Sequence, residues 1–291
     1  MSGCGLAVAI VFFNKAEQTG EAIRSFAGTG APVYVLNNGS APQSAALVRT
    51  VCEGFSNVRY LHADKNLGCG GGRNVLIKAS QEPWLLFVDN DITVRESYWL
   101  DNIKAHINHS TGVEAFVPVI HNVWDGSRIV PVHLAVKDGQ AVFATLQSDY
   151  SNVFPGGGAV VSRALFERLG GYDEELLAFE DFELALRAMR RGQGICVQHI
   201  HDINLLHDHR VVKSVVDREA VAVRYDAERV GLAHDKIERI YGVSFDRNYQ
   251  AWLEQQILEM TTAPGVLRFH KWALSVARLL KRCVQRLLGG G

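Results

Sequence analysis

Short apolar runs alternate with stretches of helical spacing through the first hundred residues. Leu6–Phe13 is wholly apolar and rich in β-formers, the pattern of a strand covered on both faces. Val33–Leu36, Val58–Leu61 and Trp84–Val88 follow as further runs, and Glu17–Phe26, Gln43–Phe55 and Gly72–Ser80 lie between them with helix-like spacing. Strand and helix alternating at this pitch predict a parallel sheet with crossover helices, whose carboxyl edge carries the ligand. From Glu114 to Val161 the pattern changes. Phe116–Ile120, Ile129–Val136 and Ala141–Leu146 read as strands separated by turn residues, Trp124-Asp-Gly and Lys137-Asp-Gly-Gln, and predict antiparallel pairs. Helical spacing returns at Arg163–Leu169 and at Glu180–Arg191, where Phe182, Leu186 and Met189 share a face, and again beyond His209 in Val215–Ile240, Phe245–Met260 and Val266–Leu288. The predicted fold class is α/β. A mostly parallel sheet with crossover helices occupies residues 1–210, and a helical C-terminal extension occupies 211–291.

At 291 residues the chain is long enough to bury a substantial core, and its 47% hydrophobic and 21% charged content is that of a folded domain. Lys plus Arg number 30 against 31 for Asp plus Glu, so the basic excess of a nucleic-acid binder is absent. The balance is uneven along the chain. From Met260 onward there are six basic residues and no acid, leaving 24 basic against 31 acidic groups elsewhere, a net of −7. In Val266–Leu288, Phe269, Trp272, Val276, Leu279, Leu280, Cys283 and Leu287 recur on one helical face, opposite Arg268, Lys271, Arg278, Arg282 and Arg286. Such a helix suits an anionic membrane surface; it equally suits packing its stripe on the domain and turning its basic face to water. Five cysteines, an odd number with no CxxC, argue against a zinc ribbon or a disulfide scaffold and read as reduced cytoplasmic thiols. The N-terminal apolar run lacks a preceding basic region and reads as a first strand, not a signal peptide. No run reaches the roughly 18–20 apolar residues of a membrane span. The expected location is the cytoplasm, in solution or peripheral on the inner face of the membrane.

Four clusters carry candidate chemistry. WLLFVDND, Trp84–Asp91, runs an apolar strand straight into two carboxylates one residue apart, which at a strand end can turn toward one divalent ion, Mn2+ or Mg2+. A turn acid followed by a helix N-cap is the plainer alternative. Gly68-Cys-Gly70-Gly-Gly72-Arg73-Asn74 precedes a helix, where glycines admit a phosphate and the helix start favours an anion; a flexible loop is the alternative. A dinucleotide site is disfavoured, because these glycines follow the third strand instead of forming the first strand–helix turn. Phe179-Glu180-Asp181-Phe182-Glu183 places acids in a first helical turn, which the helix dipole alone would favour. Leu205-Leu-His207-Asp-His209 offers two histidines near a strand end.

In this order the clusters resemble a family-two, GT-A-fold, inverting glycosyltransferase over about Ala7–Arg210. The matching segments are VAIVFFNKAEQ, VYVLNNGS, DKNLGCGGGRN, WLLFVDND, FPGGGAVVSRALFERLGGYDEELLAFEDFELALRAMRRG and LLHDHR. The resemblance implies a nucleotide-sugar donor, a divalent metal, and a saccharide or lipid-linked saccharide acceptor. By it, Asp91 would hold the metal, Asp89 would join the metal site directly or through a metal-bound water, or lie near the ribose, and His207 would be the further ligand, with His209 its rival. Asp181 would be the general base, with Glu180 beside it. Asn66, Gly68, Arg73 and Asn74, together with Asn14, Asn37 and Asn38, would line the nucleotide site, with Arg73 on the diphosphate or the base, and Gly156–Gly158, centred on Gly157, would border the donor sugar and the acceptor cleft. Two departures bear on the nucleotide base. Asn37-Asn38 stands where relatives commonly carry an aspartate, and Phe12-Phe13-Asn14 stands where they often carry Thr-Tyr-Asn. A sugar-phosphate nucleotidylyltransferase would need a Gly-rich basic loop after the first strand, where Phe13-Asn-Lys-Ala-Glu stands instead. A degenerate, non-catalytic transferase serving as a binding or scaffold module would be marked by loss of Asp91 or Asp181, and both are present.

Overall fold

The computed structural model describes residues 5–123, 126–145, 148–208, 214–224 and 226–245. His209, Trp124, Asp125, all of the expected helix Phe245–Met260 after its first residue, and the expected helix Val266–Leu288 lie outside them.

The four expected strands form one parallel half-sheet. Strands β1 (Leu6–Phe12), β2 (Val33–Asn38), β3 (Val58–Ala63) and β4 (Trp84–Asp89) pair in the order β3-β2-β1-β4. Helices α1 (Ala16–Ala27), α2 (Pro42–Glu53) and α3 (Gly68–Ala79) make the crossovers. β1 is central and buried on both faces, which explains its unbroken apolar run.

A mixed half continues beyond β4. Strands β5 (Ile92–Val94), β6 (Ala115–Asn122), β9 (Tyr150–Ser151), β10 (Ala159–Ser162) and β11 (Val197–His207) complete a nine-stranded sheet of the described residues, with β10 antiparallel to both β4 and β6. Helix α4 (Trp99–His109) precedes β6, and α5 (Arg163–Leu169) and α6 (Glu180–Arg190) lie between β10 and β11. Of the three segments expected to form antiparallel pairs, two form the separate hairpin of β7 (Val132–Lys137) and β8 (Gln140–Thr145), while Phe116–Ile120 lies in β6 of the main sheet, antiparallel to β10 and parallel to β11. Its two turn residues, Asp138 and Gly139, both have positive φ (50° and 73°), as a tight mirror-image turn requires. β7 starts later than the apolar pattern implied, after Pro131, which has no N–H for a ladder.

Two further boundaries differ from expectation for identifiable reasons. α3 begins at Gly68, not Gly72, so the glycines form its first turns instead of a preceding loop. They permit close packing: a Cβ on Gly72 would sit 2.8 Å from Val11 Cγ1, and one on Gly70 would sit 3.1 Å from Tyr172 Cβ. The segment 215–240 is two helices, α7 (Val215–Arg224) and α8 (Ala227–Tyr241). Asp226 caps α8 by accepting a hydrogen bond from Arg229 N, a stop and restart that unbroken periodicity conceals.

α8 braces the carboxylate-bearing helix α6. Lys236 pairs with Asp173 and Glu175, each at 2.7 Å, while Tyr241 donates to Glu183, which also holds Arg187. Arg187 in turn donates to the carbonyls of Leu169 (3.0 Å) and Gly171 (2.6 Å). Phe87 of β4 meets Phe166 and Tyr172 edge-on beneath the site, at 5.7 and 6.3 Å between ring centres.

Candidate active site

The carboxyl ends of β1, β2 and β4 open into a cleft lined by Phe13, Lys15, Asn38, Asn66, Gly68, Arg73, Asp89, Asn90 and, from the extension, Val221 and Arg229. Asp89 ends β4, and Asp91 sits in the turn into β5, so it is not the cap of a following helix. β11 supplies the third group. A register shift between His199 and Asn204 re-aims that strand, so His207 pairs with Ile92 beside Asp91. Asp208 N then donates to the Asp91 carbonyl at 2.8 Å. Asp89, Asp91 and His207 each bring one ligand atom within 4.8 Å of the others. His207 Nε2 lies 3.2 Å from Asp91 Oδ1, and Lys15 Nζ lies 3.1 Å from Asp91 Oδ2. Two carboxylates and an imidazole, with Asp91 buried, form a donor set that fits Mn2+.

Arg73 ties the two carboxylate centres together. Its Nη1 donates to Glu180 Oε1 at 2.5 Å and its Nη2 to Asp89 Oδ1 at 3.3 Å. Burial opposes its charge, but Glu180 and Asp89 outweigh that and raise its pKa, so the guanidinium stays ionised. The glycine loop presses against both ends of this bridge. A Cβ on Gly156 would fall 2.5 Å from Arg73 Nη1, and one on Gly157 would fall 2.4 Å from Asp89 Cγ. Only glycine fits so close an approach.

Asp181, at the start of α6, accepts from Gly156 N (3.2 Å) and from Phe182 N (2.9 Å). Burial, and next the Glu180 charge, push its pKa up to about 7 despite Arg73 and the two N–H donors. One loop therefore touches Asp181 through Gly156 and Asp89 through Gly157.

The remaining expected residues divide. Asn38, Asn66 and Gly68 form one wall, where Asn38 Nδ2 donates to Asn66 Oδ1 (3.2 Å) and to the Gly68 carbonyl (3.0 Å). Asn37 is buried instead, on His62 (3.0 Å) and Ser40 N (2.9 Å). Asn14 holds Ala41 N and the Val216 carbonyl. Asn74 is occupied with Tyr172 and Glu174 and does not line the cleft. Sequence reasoning gave no role to Lys15, Asn90, Asp217 or Arg229. The quoted NKAEQ segment contains Lys15, but the 76 residues to Asp91 hide their contact. Among the described residues Cys52, Cys69 and Cys196 form no disulfide, and no helix there is long and apolar enough to cross a membrane.

The chain is similar in sequence and in fold to known glycosyltransferases. The pre-mycofactocin glycosyltransferase of Mycobacterium tuberculosis, in strains CDC 1551 and H37Rv, is 26% identical over 187 residues, which are 62% of this chain and 38% of that protein. The chain thus spans well under half of these curated relatives. Solved structures share its fold. Residues 1–349 of S. aureus TarS align with a TM-score of 0.54 at 18% identity, covering 88% of this chain and 70% of that one. The Pyrobaculum calidifontis mannosyltransferase PcManGT, in complex with GDP-Man and Mn2+, aligns with a TM-score of 0.55 at 16% identity, covering 93% and 80%. The family model described as glycosyl transferase family 2 matches residues 7–170, more than half of the chain, which therefore belongs to that family and carries its GT-A fold.

Proposed function

We propose that the protein transfers a sugar from a nucleoside-diphosphate sugar to a hydroxyl of a saccharide or lipid-linked saccharide, with a divalent metal and inversion at the anomeric carbon. The observation that carries this reading is the pairing, through one glycine loop, of Asp181 with the Asp89–Asp91–His207 group. Asp89, Asp91 and His207 would hold the ion. A bound Mn2+ would stabilise the charge that develops on the departing diphosphate. Arg73, held in place by Glu180 and Asp89, adds a fixed positive charge to the same wall. Asn38, Asn66 and Gly68 shape the nucleotide side of the cleft. Asp181, with a pKa near neutrality, is matched to taking the acceptor's hydroxyl proton as that oxygen attacks. One displacement with a base opposite the leaving group inverts the configuration. Family membership and neighbours solved with UDP-GlcNAc or with GDP-Man and Mn2+ support a nucleotide-sugar donor. In this reading residues 1–210 are the transferase unit, and 211–291 close the cleft through Val221 and Arg229 and approach a membrane through 266–288.

The test is a panel of UDP- and GDP-sugars assayed for hydrolysis and transfer with Mn2+ or with EDTA, and with the product anomer read by NMR. Inverted product and Mn2+-dependent turnover are expected. Retained configuration would refute the direct displacement, and full turnover in EDTA would refute the metal.

A further inference from the structure

The chain leaves β1 through two strained residues. Asn14 and Lys15 have φ values of 58° and 49°, in the left-handed region that non-glycine residues seldom occupy. Four hydrogen bonds over-determine that geometry: Asn14 N to Ser40 Oγ (2.9 Å), Ala41 N to Asn14 Oδ1 (2.9 Å), Asn14 Nδ2 to the Val216 carbonyl (3.0 Å) and Lys15 N to Asp217 Oδ1 (2.7 Å). Two of them come from α7, which belongs to the extension. Their result is to aim a lysine side chain, itself only 7% exposed, at the buried carboxylate of Asp91. The acid best placed to ligate an ion thus already carries a fixed cation on Oδ2, opposite His207 on Oδ1.

We propose that Lys15 governs the metal centre electrostatically, holding its affinity for a free divalent ion low until an anionic diphosphate enters. The inference rests on the metal-dependent reading above. An ion bound to Asp91 would lie within a few ångströms of the Lys15 ammonium, in a place where both partners are shielded from water and screening is weak. A diphosphate changes that balance. The ammonium has three N–H donors, so it can turn one or two toward phosphate oxygens lining the same cleft while its repulsion of the ion is offset. Metal and diphosphate then bind with positive coupling, by the same factor whichever arrives first. Lys15 acts here as a positioning residue, through the charge on Asp91.

The test measures binding, not turnover. Mn2+ is titrated into the full chain and followed by electron paramagnetic resonance, alone and with saturating UDP or GDP. Lys15→Met is expected to bind Mn2+ alone at least about tenfold more tightly than the wild type, and to lose a similar factor of the nucleotide enhancement. Lys15→Arg, which keeps the charge, should behave as wild type. Circular dichroism melts verify folding, and Lys15→Gln replaces Lys15→Met if the latter does not fold. Unchanged or weaker Mn2+ affinity in the uncharged variant, with the wild type binding Mn2+ in the presence of nucleotide, would overturn the role of Lys15 alone. Absence of Mn2+ binding in every form, with and without nucleotide, would overturn the metal reading and this inference with it.

Discussion

Asp181→Asn should abolish transfer yet stabilise the folded protein near and above neutrality, increasingly so as pH rises. Asp181 ordinarily titrates near 3.8 and is pushed up to about 7 by burial and by Glu180. A raised carboxyl pKa means that the folded chain holds its proton where the unfolded chain has released it. The associated stability is therefore full below the unfolded value and is lost as pH climbs toward the folded one. Linkage between these values gives a penalty of about 4 kcal/mol at pH 8 and about 1.5 kcal/mol at pH 5, a difference of roughly 2.5 kcal/mol. Asp181 keeps some solvent access, so about half of this difference is the expected yield. Asparagine retains one acceptor for the Gly156 and Phe182 N–H groups and forfeits the other, a loss of about 1 kcal/mol that is independent of pH. Urea denaturation of wild type and variant at pH 5, 6.5 and 8, with EDTA present, reads the gap directly. It should widen by about 1–2.5 kcal/mol in favour of Asp181→Asn between the outer points. A gap that is constant with pH, or that widens toward acid, would refute the claim that Asp181 is a carboxylate held ready for proton transfer. Nucleotide affinity should remain nearly intact, because the base acts on the acceptor.

Further outcomes follow from the same geometry. Wild-type kcat/KM should rise about tenfold per pH unit below neutrality and level above about 7, and a flat profile from pH 5 to 8 would exclude Asp181 as the base. Asp91→Ala should lower turnover at least about a hundredfold and remove Mn2+ binding, and it should cost about 3–5 kcal/mol because the buried Lys15 loses its partner. Denaturation and Mn2+ titration of that variant check both parts. Gly157→Ala should displace the Asp89 carboxylate, weakening Mn2+ at least about tenfold for about 1–3 kcal/mol of stability. Unchanged Mn2+ affinity would remove Asp89 from the ligand set. Full-length protein should cosediment with anionic liposomes more than a chain ending at Ala263, and equal binding by the two would dismiss the basic tail as a membrane contact.

Strand and helix identity in the first half was legible because burial imposes period and composition locally. The LAVAIVF run of β1 is uniformly apolar because that strand lies mid-sheet, and Asp138-Gly139 names its own turn. Asp89 and Asp91 were equally legible, since one strand end places both. What the sequence left open depends on separations no local pattern encodes. The glycines of α3 read as a loop by propensity, and only the nearness of Val11 and Tyr172 shows why a helix needs them. Asn74 and Asn37 sit in segments that the resemblance assigns to the nucleotide site, yet each is consumed by neighbours that folding brings to it, Tyr172 and Glu174 for one and His62 and Ser40 for the other. His207 reaches Asp91 through a register shift in β11, and Lys15 reaches it through a backbone conformation pinned partly by α7. The residue types that could serve a site were legible along the chain; which of them reach the cleft and which share a charge was decided by tertiary contact, because electrostatic pairing depends on distance through space and not along the chain.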